Sequence, residues 1–159
     1  MQAIPLHQSF IKLLFLGGIL AGFFSCKTYS EDDKHSFDEK IEQFIRSKKW
    51  KMNRSQSGLY SEVITEGTGE KIQYSSEVSI LYKGTLLNGK IVDQTPSGEP
   101  LDSPLRELIH GFQEALLDQK EGVKLRVVIP PNLGYGDQEL EKIPPHSILS
   151  FEIEVVEVN

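Results

Sequence analysis

The stretch Ser150-Phe151-Glu152-Ile153-Glu154-Val155 alternates polar and apolar side chains with a period of two. Successive side chains of a strand point to opposite faces, so Phe151, Ile153 and Val155 share a buried face while Glu152 and Glu154 meet water. A sheet patterned in this way is expected to be covered on a single side. Working back along the chain, Val123 to Ile129, Lys90 to Asp93, Val78 to Leu86 and Leu59 to Ile64 read as further strands, and the last strand extends from Ile148 to Val158. Gly, Pro and Asn signals separate them. Asn88-Gly89 lies between two of these runs and suits a type I′ hairpin turn, which needs positive φ at both central residues. Only one helical pattern, near Leu105 to Leu117, interrupts the strands, and it is the natural cover for the sheet. Mostly antiparallel strands with one helix indicate an α+β domain.

Upstream of about Gly58 the patterning changes. Ser36-Phe37-Asp38-Glu39 has the spacing of a capping box, and Phe37, Ile41, Phe44 and Ile45 follow with helical period. A short amphipathic helix ending near Trp50 is expected, docked on its own domain or, alternatively, on a second copy of the chain. Lys27 to His35 is polar and charged and reads as a flexible tether. The first 25 residues contain no acid and only Lys12 as a base, followed by the apolar run Leu13 to Phe24. A membrane-spanning helix needs about 20 apolar residues, whereas the h-region of a secretory signal has about 7 to 15. The leader therefore reads as an export signal, with an uncleaved anchor as the alternative. Cys26, the only cysteine, directly follows Ser25 where cleavage would fall. Its position resembles the lipobox of bacterial lipoproteins, in which the thiol is acylated, although Phe23 stands where that pattern favours Leu. Ordinary cleavage with a stray thiol is the alternative. The expected organisation is 1–25 signal, 26–35 tether, 36–57 helix and linker, and 58–159 folded domain, lipid-anchored in a bacterial envelope.

Composition and motifs exclude several function classes. The 17 Lys and Arg against 23 Asp and Glu give a formal charge of −6. No basic stripe is present to neutralise a phosphate backbone, so nucleic acid is not an expected partner. Four His and one Cys show no metal-ligand spacing, and neither a metal nor another cofactor is expected. Gly67-Thr68-Gly69 lacks the remaining glycines and the following helix of a phosphate loop, and a tight turn explains it better. No G-x-S-x-G or other nucleophile team is present.

Several segments, in order and at near-family spacing, do resemble one family. They are Gly58-Leu59-Tyr60 through Glu66-Gly67-Thr68-Gly69; Tyr82-Lys83-Gly84-Thr85-Leu86 with Asn88-Gly89 and Asp93; Leu108-Ile109-His110-Gly111-Phe112; Glu121-Gly122 with Val127 to Pro130; Leu133-Gly134-Tyr135-Gly136; and Ile143-Pro144-Pro145-His146-Ser147-Ile148 continuing through Glu152. Together they resemble the FKBP-type peptidyl-prolyl cis-trans isomerases. The resemblance implies an antiparallel sheet half-wrapped around one short helix, with an apolar pocket for a prolyl ring. It also implies proline-containing unfolded or exported polypeptides as partners.

Carried over by position, the resemblance gives Tyr135, Asp93 and Ile109 catalytic roles. Tyr135 would donate its hydroxyl to a substrate carbonyl, the Ile109 backbone amide would be a second donor, and Asp93 would orient groups at the rim. Tyr82, Val92, Leu101, Leu108, Phe112, Ile143 and Phe151 would contact the substrate. By themselves Leu108, Ile109 and Phe151 would be apolar in any core of this pattern, and Asp93 could simply end a strand. Tyr135 is more informative, because flanking glycines let a turn present the ring to a cavity. Val92 and Leu101 stand where the family commonly has Phe, Phe112 where the pocket floor is often Trp, and Ser103 where a Phe is usual. The segment from Pro100 to Leu108 is shortened relative to the small members. A less aromatic pocket implies weaker catalysis and poorer macrolide binding. The second reading is a chaperone or scaffold module that holds prolyl segments without useful turnover.

Overall fold

Alternating residues of the C-terminal stretch can bury one face only if strands flank them on both sides. In the computed structural model, which describes residues 29–159, they do. The elements run α1 (Glu31–Lys48), β1 (Asn53–Arg54), β2 (Tyr60–Thr65), β3 (Glu77–Leu86), β4 (Ile91–Gln94), β5 (Leu101–Pro104), α2 (His110–Leu116), β6 (Lys124–Ile129) and β7 (Leu149–Val158). The strands form one antiparallel sheet in the order β1-β2-β6-β7-β3-β4, with β5 pairing β3 beyond the β4 segment. β7 is central, with Phe151 opposite Gly84 of β3 and Val127 of β6. The fold is α+β, an open antiparallel sheet with two helices. Residues 1–25, expected as a signal segment, and Cys26 lie outside the described residues, and among those described no helix is long and apolar enough to cross a membrane.

The inner face of the sheet and α2 enclose the main core, including Ile80, Phe112, Leu116, Val127, Leu149, Phe151 and Val155. Helix α2 approaches β6 closely because Gly111 has no side chain; a Cβ there would sit 2.7 Å from Ile129 Cγ2. The helical pattern expected over 105–117 is in fact split. Leu105–Glu107 forms a 3-10 turn, then Leu108 and Ile109 are extended, and α2 follows. Gln113 fixes this break by donating Nε2 to the Leu108 and Arg106 carbonyls, at 2.6 and 3.1 Å.

Three further expectations need correction. Helix α1 begins at Glu31 rather than after Ser36. Ser30 Oγ accepts from the Asp33 N–H at 3.1 Å, and Asp33 Oδ2 accepts from the Ser30 N–H at 3.1 Å, completing a reciprocal cap. Glu31, Asp32 and Asp33 complement the positive end of the helix, so charges that read as a solvated tether form a first helical turn. The sheet also starts ahead of residue 58, because Asn53 and Arg54 pair with Ser61 and Tyr60.

Finally, the outer face is not wholly open. Ile41, with Phe37, Phe44 and Ile45, packs on Tyr60, Val128 and Ile148, so α1 docks on its own domain. Beyond α1 the same face carries a row of alternating charge: Glu62 opposite Arg126, Arg126 opposite Glu152, and Glu152 opposite Lys83. Arg126 also covers the Trp50 ring at 4.9 Å, which closes the seam between the helix C-terminus and the sheet.

Candidate active site

Three aromatic rings from three elements form the floor of one end of the inner core. Phe112 of α2 meets Phe151 of β7 edge-on at 4.8 Å between centroids, and Tyr82 of β3 lies 6.1 Å from Phe112 and 6.2 Å from Phe151. Edge-to-face stacking suits the charge distribution of the rings and fixes their mutual orientation. The arrangement depends on Gly84, opposite Phe151 in the ladder, since a Cβ at that position would overlap the Phe151 ring.

A bulge supplies the polar edge. Gly84 pairs with Asp93 and Thr85 with Ile91, leaving Val92 as the extra residue. In a regular strand Val92 and Asp93 would point to opposite faces; the bulge re-aims them, so Val92 is buried in the core while Asp93 reaches Tyr82. Tyr82 Oη donates to Asp93 Oδ2 at 2.7 Å, and Asp93 Oδ1 accepts from the Gln94 N–H at 2.9 Å. The carboxylate is thereby held in one orientation.

Tyr135 arrives from a different loop. Pro131–Leu133 makes a 3-10 turn, Gly136 takes φ +63°, and the Gly136 N–H donates to the Pro131 carbonyl at 2.9 Å. This tight turn packs the Tyr135 ring against the main core. Burial, and secondly the negative charge of Asp93, push its phenol above the usual tyrosine pKa. The hydroxyl therefore stays protonated and able to donate across the physiological range. Ile109 directly precedes α2, where an N–H has no carbonyl within the helix to bond.

Tyr82, Val92, Leu101, Leu108, Ile109, Phe112, Tyr135, Ile143 and Phe151 all belong to one packed cluster, and Asp93 joins it through Tyr82. Phe112 and Phe151 are closed to water, whereas Leu101, Asp93 and Tyr135 remain partly exposed at the edge of the cluster. Ile143 is buried beneath a small loop closed by reciprocal backbone bonds with Leu140, at 3.0 and 3.2 Å. Ser103 is buried in β5, with Oγ donating to the Pro104 carbonyl at 3.3 Å. Leu86, Leu133 and Leu140 also pack on the cluster: the first two lie in the family-like segments without an assigned contact, and Leu140 is marked in the sequence only as an apolar residue inside a loop. Gln113, which holds the Leu108-Ile109 segment, gave no sequence signal at all. Among the described residues no group of His, Cys, Asp or Glu is arranged to hold a metal ion.

Comparison with known proteins bears on this geometry. Residues 68–156 match the family described as FKBP-type peptidyl-prolyl cis-trans isomerase. The chain belongs to that family. The FKBP-type isomerase FkpA of Escherichia coli strain K12 is 39% identical over 128 residues, which is 80% of this chain and 47% of that protein. The chain thus spans about half the length of the curated relatives it matches. The crystal structure of FkpA from Escherichia coli superposes with a TM-score of 0.70 at 36% identity, covering 81% of this chain and 62% of that one. A peptidyl-prolyl cis-trans isomerase from Pseudomonas syringae gives 0.66 at 30% identity, covering 83% of this chain and 98% of that one. Within the FKBP-type fold, the aromatic floor and the Asp93–Tyr135 edge lie at the same end of the sheet.

Proposed function

We propose that this chain is a peptidyl-prolyl cis-trans isomerase that accelerates X-Pro isomerisation in unfolded or exported polypeptides, held in the cell envelope by a lipid on Cys26. The observation that carries the reading is the convergence of Tyr82, Phe112 and Phe151 with Asp93 and Tyr135 in one cluster of a family member. Rotation about an X-Pro bond breaks amide resonance across a barrier of about 18 to 20 kcal/mol, and uncatalysed exchange takes tens to hundreds of seconds. No covalent intermediate is required. An apolar, water-poor surface favours the twisted amide, which has lost charge separation, while fixed donors hold the flanking carbonyls. Tyr135 Oη and the Ile109 N–H take that part; Asp93 orients the polar edge; Tyr82, Val92, Leu101, Leu108, Phe112, Ile143 and Phe151 receive the prolyl ring. An acceleration of about 10⁴ needs about 5.5 kcal/mol of differential binding.

Exposed Asp137, Glu139 and Glu141 beside the Tyr135 turn favour basic or neutral prolyl segments. Val92 and Leu101 in place of larger aromatic rings remove contact area, at about 25 cal/mol per Å², and lower turnover relative to aromatic-rich members. The test is the rate of cis-to-trans conversion of a prolyl tetrapeptide with the full chain. A rate above the uncatalysed one is expected; binding of unfolded chains with no acceleration would replace the isomerase with a holding module. Mass spectrometry of the mature N-terminus decides the anchor: an acylated Cys26 is expected, and a free thiol overturns it.

A further inference from the structure

Tyr29 lies just ahead of α1, yet its hydroxyl is 2.9 Å from Nδ1 of His146, far along the chain. The two rings also meet edge-on at 5.6 Å, and the other side of Tyr29 is held edge-on by Phe37 at 5.3 Å. Phe37 belongs to the cluster that seats α1 on the sheet, so Tyr29 is fixed from behind. His146 takes φ +59°, a conformation that residues other than glycine rarely adopt. In that conformation its N–H donates to the Gly136 carbonyl at 2.8 Å, closing the loop from Gly136 to His146. Gly136 directly follows Tyr135, and Ile143 lies within the closed loop. The Tyr29 hydroxyl would be 3.9 Å from a Cβ placed on Gly136, so the contact falls directly on the joint. The Leu140–Ile143 backbone bonds within the loop, and the Ser147 Oγ bond to the Pro144 carbonyl at 2.7 Å just beyond it, are local. Besides Ile143 in the core and the Gly136 N–H on Pro131, Tyr29 thus supplies a hold on the joint from outside the loop.

We propose that Tyr29 is a positioning residue for the prolyl site: by gripping His146 it holds the joint between the Tyr135 turn and the Ile143 loop, and so keeps the phenol aimed at the substrate carbonyl. The inference rests on the isomerase reading given above. It makes the segment before α1 part of the working site, although it lies ahead of the residues that match the family. The grip has two components, ring packing and a hydrogen bond. Tyr29→Phe removes only the second, whereas Tyr29→Ala removes both.

The experiment compares full-length wild type, Tyr29→Phe, Tyr29→Ala, Tyr135→Phe and the Tyr29→Ala/Tyr135→Phe double variant. Each is assayed for kcat and KM on a cis-prolyl peptide and for amide hydrogen exchange. Misplacing a donor by a fraction of an ångström lowers kcat, and Tyr29→Ala is expected to lose about three- to eightfold, less than Tyr135→Phe, with Tyr29→Phe between it and wild type. KM changes less than kcat. In the double variant the loss is expected to equal that of Tyr135→Phe alone, because Tyr29 acts through that phenol. Exchange at His146 should rise while the β3–β7 amides keep their protection. Unchanged kcat in Tyr29→Ala, additive losses in the double variant, or exchange rising equally across the sheet would each overturn the proposal. If wild type shows no isomerase rate at all, the function reading fails on its own, and exchange at His146 still decides whether Tyr29 holds the joint.

Discussion

The two polar groups of the site take opposite parts because of where they sit. Asp93 accepts hydrogen bonds from Tyr82 and from the Gln94 N–H, whereas the phenol of the partly exposed Tyr135 is desolvated by burial and feels that carboxylate's charge. With its pKa raised in the folded state, the phenol is neutral in both folded and unfolded chains below about pH 10. Above that the unfolded chain ionises first, so Tyr135 contributes stability that is lost as pH rises. Two outcomes follow: Tyr135 ionisation causes no fall in kcat/KM between neutral pH and about pH 10, and the ultraviolet phenol titration of the folded protein, with Tyr29 and Tyr60 raised by burial as well as Tyr135, lies above that of the unfolded chain. Tyr135→Phe is expected to lower kcat/KM by about tenfold with an unchanged urea midpoint, the cost of roughly one hydrogen bond in the transition state. Asp93→Ala should also slow the reaction, since it removes the acceptor that orients Tyr82. Tyr135 was legible from its flanking glycines. That Val92 and Asp93 face the same way was not, because a bulge is a property of pairing that neither residue announces.

At the level of elements, period-two patterning located the long strands to within a residue or two, and Asn88-Gly89 marked the hairpin but not its expected type I′ turn. Only Gly89 takes positive φ, +87°, and the turn is centred on Leu87-Asn88, closed by the Gly89 N–H to the Leu86 carbonyl at 2.9 Å. Those signals are strong because one buried face disciplines every second side chain. β1 and β5 were not legible. The first is two residues long, and Leu101–Pro104 contains no β-branched side chain and ends in Pro. Their positions follow from pairing with β2 and β3 rather than from intrinsic preference. The start of α1 was hidden for a related reason: its acidic first turn has the composition of a loop. Close approach between elements gives a sharper test. Gly84→Ala pushes a methyl into the Phe151 ring, and overpacking of this kind costs about 1 to 3 kcal/mol. A lower urea midpoint is expected together with a raised KM, because the displaced ring is also the floor of the site.

Across the whole molecule the sheet separates two apolar clusters, one under α2 and one under α1. Ile41 is fully buried in the second, so Ile41→Ala should cost about 2 to 5 kcal/mol by denaturant titration. Its effect should be read as lost docking of α1, visible as a fall in the fluorescence change of Trp50, which packs at the helix end. The exposed part of the charged row on that face, such as Glu152 beside Arg126, contributes little by comparison, because surface ion pairs are worth at most about 1 kcal/mol each.

Tyr29 is clasped beside the Tyr135 turn, and Cys26 stands only three positions before it. Three residues of chain cannot extend beyond about 11 Å, whatever path they take. An acylated Cys26 would consequently leash the Tyr135 end of the domain against the lipid headgroups instead of letting it roam. Such an enzyme would serve chains passing through the thin layer next to the bilayer, and a long glycine-serine spacer inserted after Cys26 should widen its clientele to proteins farther out.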